Sequence, residues 1–272
     1  MNITRIWKVF FSPTGNTRKA VVYLADELCK KLDCPSEEYD FTLPEARKKT
    51  PEFSEGELVV FGMPVYAGKI PNKLLPFVQD SFRGNGASAI ALVTFGNRSF
   101  DNGLAQLAQC LEEDGFHIAS AAAIASQHAF SRTLAAGRPD VSDLEQLTEL
   151  AEKTCRKLEE VHSLPPLPIP GEADAPYYKP LGLDGNPAVF LKAKPKTDQS
   201  KCISCGICAE NCPMGSISSE NPSEVSGICI KCHACVNKCP EGAKYFDDPA
   251  FLSHKAMLEK NFQRRADTLF FI

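Results

Sequence analysis

The sequence predicts two units: a doubly wound α/β domain on a five-stranded parallel sheet, then a small cysteine-rich α+β domain. Three observations carry this. Short apolar runs alternate with helical patterns over residues 1–163. A proline-rich stretch interrupts that rhythm at 164–196. Eight of the twelve cysteines crowd into residues 197–247.

Each element follows from local pattern. "RIWKVFF" (5–11) reads as the first strand, followed by a helix from Asn16 to Leu32. "EEYDF" (37–41) and "ELVVFGMPV" (57–65) are the next strands. "NKLLPFVQDSF" (72–82) is helical if Pro76 lies in its first turn or at a kink. "SAIALVTFG" (88–96) carries almost no polar residue, as a strand buried on both faces must. Residues 102–115 form a helix closed by Gly115, and 116–126 a fifth strand poor in β-branched residues. Ser142 and Glu145 have capping-box spacing for a last helix reaching Val161. Residues 164–196 hold eight prolines and read as a semi-rigid linker. The tail, 248–272, reads as one helix ending in the apolar "LFFI", expected to dock on one of the domains.

Composition narrows the chemistry. The chain of 272 residues is 43% apolar and 24% charged, with net charge −4, so nucleic acid and anionic membranes are not the expected partners. The N-terminal "ITRIWKVFF" is too short to span a bilayer and has no signal-peptide cleavage pattern. A cytoplasmic location follows as the expectation, with cysteines serving as thiols or metal ligands rather than disulfides.

"CISCGICAENCP" (202–213) and "CIKCHACVNKCP" (229–240) share the spacing C-x2-C-x2-C-x3-C-P. Structural zinc sites usually present two separate CxxC pairs, whereas runs of four thiolates ending in proline suit iron–sulfur clusters. From about Thr197 to Phe246 the sequence resembles bacterial two-cluster ferredoxins. The resemblance implies one [4Fe–4S] cluster on Cys202, Cys205, Cys208 and Cys239, and a second on Cys229, Cys232, Cys235 and Cys212, the fourth ligands crossing over. Gly206 and Ala234 would leave room beside sulfide. His233 reads as a surface residue or one just behind the ligands, and Cys29, Cys34, Cys110 and Cys155 as ordinary thiols.

The loop "FFSPTGNTRKA" (10–20) joins the first strand to the first helix. It is neither a Walker loop nor a GxGxxG turn, and "GNGAS" (84–88) precedes a strand, the wrong context for a dinucleotide fingerprint. Its S-x-T-G-N-T pattern resembles the phosphate loop of flavodoxins, which bind FMN. Ser12, Thr14, Gly15, Asn16 and Thr17 would then hold the phosphate at a helix N-terminus. The later loops, Pro64, Val65, Tyr66, Ala67 and Gly68, and Phe95, Gly96, Asn97, Arg98, Phe100 and Asp101, stand where flavodoxins contact the isoalloxazine ring. Tyr66 or Phe100 would stack on it, and Asn97 and Arg98 would hydrogen-bond its rim. "QHAF" (127–130) and "GRPD" (137–140) follow the fifth strand. His128 is expected to face either the flavin or the sheet edge, and Arg138 to order the loop before the last helix.

End to end, the chain resembles the flavodoxin–ferredoxin fusion family of bacteria and archaea. That resemblance implies both cofactors. Clusters pass single electrons and a flavin takes two and releases them singly, so the expectation is an electron carrier of an anaerobic or reducing cytoplasm, relaying electrons between FMN, two [4Fe–4S] clusters and protein redox partners. The alternative is an FMN-dependent reductase of a small organic substrate, with His128 or Tyr66 as proton donor. A scaffold whose clusters only stabilise the fold would leave the flavin loops unexplained. A homodimer is left open.

Overall fold

A computed structural model describes residues 1–272. Strands β1 (Arg5–Phe10), β2 (Ser36–Asp40), β3 (Glu57–Pro64), β4 (Ser88–Phe95) and β5 (His117–Ala125) are parallel, in the order 2-1-3-4-5. This is the flavodoxin-like order of doubly wound sheets. Every residue of β4 is buried, and seven of the eight in β3, because helices cover both sheet faces. Helices α1 (Asn16–Leu32) and α4 (Val141–Glu160) pack on one face around Phe10, Leu24, Leu92 and Leu150. Helix α3 (Gly103–Glu113), with the short α2 (Leu75–Ser81), covers the other around Phe41, Phe61, Val93 and Leu107. Pro76 sits in the first turn of α2, where its missing N–H costs no hydrogen bond.

Three expectations are corrected. The sheet has six strands, not five. The tail is not one helix: α7 (Pro249–Asn261) is followed by β8 (Leu269–Phe271), which pairs antiparallel with Ala121–Ala123 of β5. That pairing satisfies a free sheet edge. The capping box on α4 uses Asp140 and Asp143, not Ser142 and Glu145. Asp143 also forms a buried ion pair with Arg138, with Nε to Oδ2 at 2.9 Å.

The proline-rich stretch does not bridge open space. Leu167 and Ile169 pack on the core below α3. Further on, Tyr177 Oη donates to Ile70 O (2.9 Å), Tyr178 N–H to Ala67 O (2.8 Å), and Lys69 Nζ to Ala173 O (2.6 Å). In the cysteine-rich unit, β6 (Lys196–Thr197) pairs with β7 (Lys244–Tyr245), and helices α5 (Ile207–Glu210) and α6 (Ala234–Asn237) each begin within a cysteine motif.

Candidate functional site

The eight motif cysteines ring two hollows. Cys202, Cys205, Cys208 and Cys239 line one. Cys212, Cys229, Cys232 and Cys235 line the other. Each motif thus gives three thiols to one hollow and its fourth to the other. The two loops turn alike: Ser204 and Gly206 have positive φ in the first, Lys231 and His233 in the second. The counterpart of Gly206 is therefore His233, not Ala234. Amides point at sulfur, Ser216 N–H to Cys212 Sγ (3.3 Å) and Ala243 N–H to Cys239 Sγ (3.2 Å). Burial pushes the free Cys235 thiol up to about 12, so ligation must displace protons that the folded protein would otherwise hold.

His233 is not at the surface. It is 5% exposed and stacks on Phe246 (4.5 Å between ring centres) and Phe251 (5.2 Å). Phe130 lies against its ring at 4.7 Å and against His128 at 4.9 Å. This aromatic packing ties the second cysteine loop to the segment after β5. The remaining cysteines stay apart from both hollows, with burial raising Cys110 to about 12 and Cys155 to about 11.

A third cavity, of about 620 Å³, lies between the units. Its floor is the carboxyl edge of the sheet, where ligands of such folds sit. Thr14, Asn16 and Thr17 line it, as do Pro64–Gly68, Phe95, Gly96 and Arg98. The backbone N–H groups of Asn16 and Thr17, in the first turn of α1, and of Thr14, just before it, have no acceptor in the protein. The Thr17 hydroxyl is bonded to Thr94 Oγ1 (2.7 Å). Tyr66 and Lys69 bracket a two-residue turn in which Ala67 and Gly68 have positive φ, the pattern of a type I′ hairpin. A Cβ on Gly68 would come within 2.4 Å of Asp101 Oδ2.

Five expected residues do not line the cavity. Ser12 Oγ accepts from Arg18 N–H (2.9 Å) in the first turn of α1, while Gly15, the N-cap at φ 93°, makes the turn into that helix. Asn97 is buried and grips the tail: Nδ2 donates to Phe262 O (2.6 Å) and Arg264 O (2.7 Å), and Oδ1 accepts from Ala266 N–H (3.1 Å). Phe100 packs on Phe95 and the core rather than over the cavity. Asp101 pairs with Arg98, whose guanidinium lies 3.9 Å from the Tyr178 ring centre.

Other walls come from segments that sequence reasoning did not implicate. Tyr177, Tyr178 and Phe190 belong to the proline-rich stretch, and His254 and Leu258 to α7. Ile228, Cys229, Ile230 and Lys231 close the cavity from the cysteine-rich side. Cys229 therefore belongs both to this cavity and to the second thiol ring. The paired tyrosines at 177–178 were a visible cue; His254 had none.

Two family models, each described as a 4Fe-4S binding domain, match residues 195–218 and 226–242. The protein binds two [4Fe–4S] clusters. Solved structures resembling the first unit include a flavodoxin from the domain Archaea (16% identity, 58% of this chain and 100% of that one, TM-score 0.41). Others are a short-chain flavodoxin associated with a non-canonical PDU bacterial microcompartment (14%, 57% and 98%, TM-score 0.39) and a flavodoxin, WrbA-like protein from Agrobacterium tumefaciens (15%, 58% and 99%, TM-score 0.37). At such identities and TM-scores these likenesses carry no argument of their own, and the strand order decides the fold. The chain joins a flavodoxin-like domain to a two-cluster ferredoxin-like domain. No curated protein matches it by sequence. No helix is long and apolar enough to cross a membrane.

Proposed function

We propose that the protein is an electron-transfer flavo-iron–sulfur protein, holding FMN in the inter-domain cavity and exchanging electrons with external redox proteins. The observation that carries this reading is the shared wall: one cavity is bounded by the phosphate-type loop, the carboxyl edge of the sheet and the cluster ligand Cys229. The residues fit the cofactor. The free N–H groups of Thr14, Asn16 and Thr17 suit a phosphate without a basic side chain. The Tyr66–Gly68 turn and the Phe95–Arg98 loop flank the space for a planar ring. When bound, a flavin exchanges two electrons and each cluster one, which makes the pair a two-to-one converter.

The protein's own contribution is spacing and exclusion. Ile228–Lys231 shield the cavity and bring a ligand sulfur to its wall, so little protein intervenes between the cofactors. On the other thiol ring Cys205 is exposed and Ile203 is 62% exposed, which suits contact with a partner. Substrate reduction by the flavin is the weaker reading. An imidazolium acid at His128 is disfavoured, because burial and the neighbouring His254 and Arg98 push its pKa down to about 3. Its Nδ1 already accepts from Phe130 N–H.

Anaerobic reconstitution tests the proposal. About eight irons and eight sulfides should bind per chain, from the ligand count, with FMN in addition. A reductant specific for flavin should bleach cluster absorbance. Zinc in place of iron, equal binding of riboflavin and FMN, or flavin and clusters that never exchange electrons would overturn it.

A further inference from the structure

Two histidines in the cavity wall have their tautomers fixed by main-chain partners that can play only one role. His128 follows β5, and its Nδ1 lies 3.1 Å from the N–H of Phe130. An amide only donates, so Nδ1 is the bare nitrogen and Nε2 carries the proton. His254 is on α7, and its Nδ1 lies 2.8 Å from Leu181 O. A carbonyl only accepts, so Nδ1 carries the proton and Nε2 is bare. Neither Nε2 has a partner in the protein, neither is sealed from the surroundings, and both residues line the cavity.

Both rings are held in place. His128 lies against Gly96, where a Cβ would come within 2.3 Å of its Cδ2, and its own N–H donates to Leu134 O (3.1 Å). His254 stacks on Phe190, with ring centres 5.5 Å apart. Burial and Arg98 both work against a positive charge on either ring, so each stays neutral. The cavity thus presents one fixed donor and one fixed acceptor, both uncharged.

We propose that His128 and His254 recognise the imide edge of the isoalloxazine ring, His254 Nε2 accepting from N3–H and His128 Nε2–H donating to an adjacent carbonyl oxygen. This rests on the FMN reading above. The imide is the part of the ring system where an N–H lies between two carbonyl oxygens; the benzenoid end offers neither donor nor acceptor. The proposal makes α7, outside both cofactor domains, part of the flavin site.

The test is titration of flavin-free protein with FMN, 3-methyl-FMN and riboflavin, read by flavin fluorescence. The methyl group removes the N3–H and leaves the phosphate untouched. Wild-type protein should bind 3-methyl-FMN about tenfold more weakly than FMN, the usual effect of losing one hydrogen bond at a buried acceptor. His254→Phe keeps the stack on Phe190 but cannot accept, and should bind FMN and 3-methyl-FMN alike. Equal binding of the two by the wild type overturns the proposal, as does a His254→Phe protein that still discriminates. If that variant does not fold, the wild-type comparison decides alone. Riboflavin binding as tightly as FMN would instead overturn the FMN reading, because only that comparison removes the phosphate.

Discussion

Replacing Arg138 by methionine should cost about 3 kcal/mol, because it strands a buried carboxylate. The pair is 4% and 0% exposed at its two side chains. Arg138 Nη2 lies 2.5 Å from Asp143 Oδ1, and Nη1 donates to Ala266 O at 2.7 Å in the tail. Removing one partner of a buried pair typically costs about 3–5 kcal/mol. The lower end applies here, since Thr268 Oγ1 (3.0 Å) and Arg265 (3.4 Å) remain beside Oδ1. For a chain of this size that is a fall of about 6–12 °C in Tm. Anaerobic thermal unfolding followed by far-UV circular dichroism measures it. Limited trypsin digestion should cut faster at Arg264 and Arg265, because β8 loses an anchor. Replacing both partners, Arg138→Met with Asp143→Leu, should recover all but about 1–2 kcal/mol. That residue is the loss of the α4 cap, which Asp143 completes by accepting from Asp140 N–H (2.9 Å). A cost below about 1 kcal/mol for Arg138→Met, or a double variant as unstable as the sum of the singles, refutes this account.

Other outcomes follow from the same geometry. Thr14→Ala keeps the N–H but removes the hydroxyl expected to donate to the phosphate, and should weaken FMN binding by about 1.5–3 kcal/mol, the value of a hydrogen bond to a charged group, while iron content stays unchanged; a fluorescence titration and iron analysis check this. Cys212→Ala should damage the cluster ringed by Cys229, Cys232 and Cys235, and paramagnetic resonance showing loss at Cys202–Cys208 instead would reverse the ligand assignment. Asp114 has a side chain only 6% exposed, with Oδ2 unpartnered, and burial raises its pKa to about 6. Because the folded-state pKa lies above the unfolded value of about 3.9, stability should fall as pH rises from about 4 to about 6 and stay lower above that. Asp114→Asn should remove this slope and stabilise the protein by about 1–2 kcal/mol at pH 7.5 in denaturant titrations, with a smaller gain at pH 4.5.

The sequence by itself determined the features that depend on neighbours a few residues away. Thiol spacing set the two cluster motifs, because one turning loop presents its cysteines together. Unbroken apolar runs marked β3 and β4, because parallel strands are covered on both faces. The hydroxyl- and glycine-rich turn before Asn16 marked the loop proposed to hold an anion at α1. Tertiary structure decided what depends on distant partners. Asn97 stands in a loop that reads as a flavin contact, yet its amide grips carbonyls 165 and 167 residues further along the chain. Leu269–Phe271 became a strand because β5 had an open edge, not because three apolar residues specify one. His233 is buried only because Phe130, Phe246 and Phe251 arrive from three other segments. His254 carries no motif and reaches the cavity through the fold alone. Hydrogen bonds and packing between segments far apart in the chain leave no periodicity or spacing behind, so only the folded chain shows which residues share the cavity.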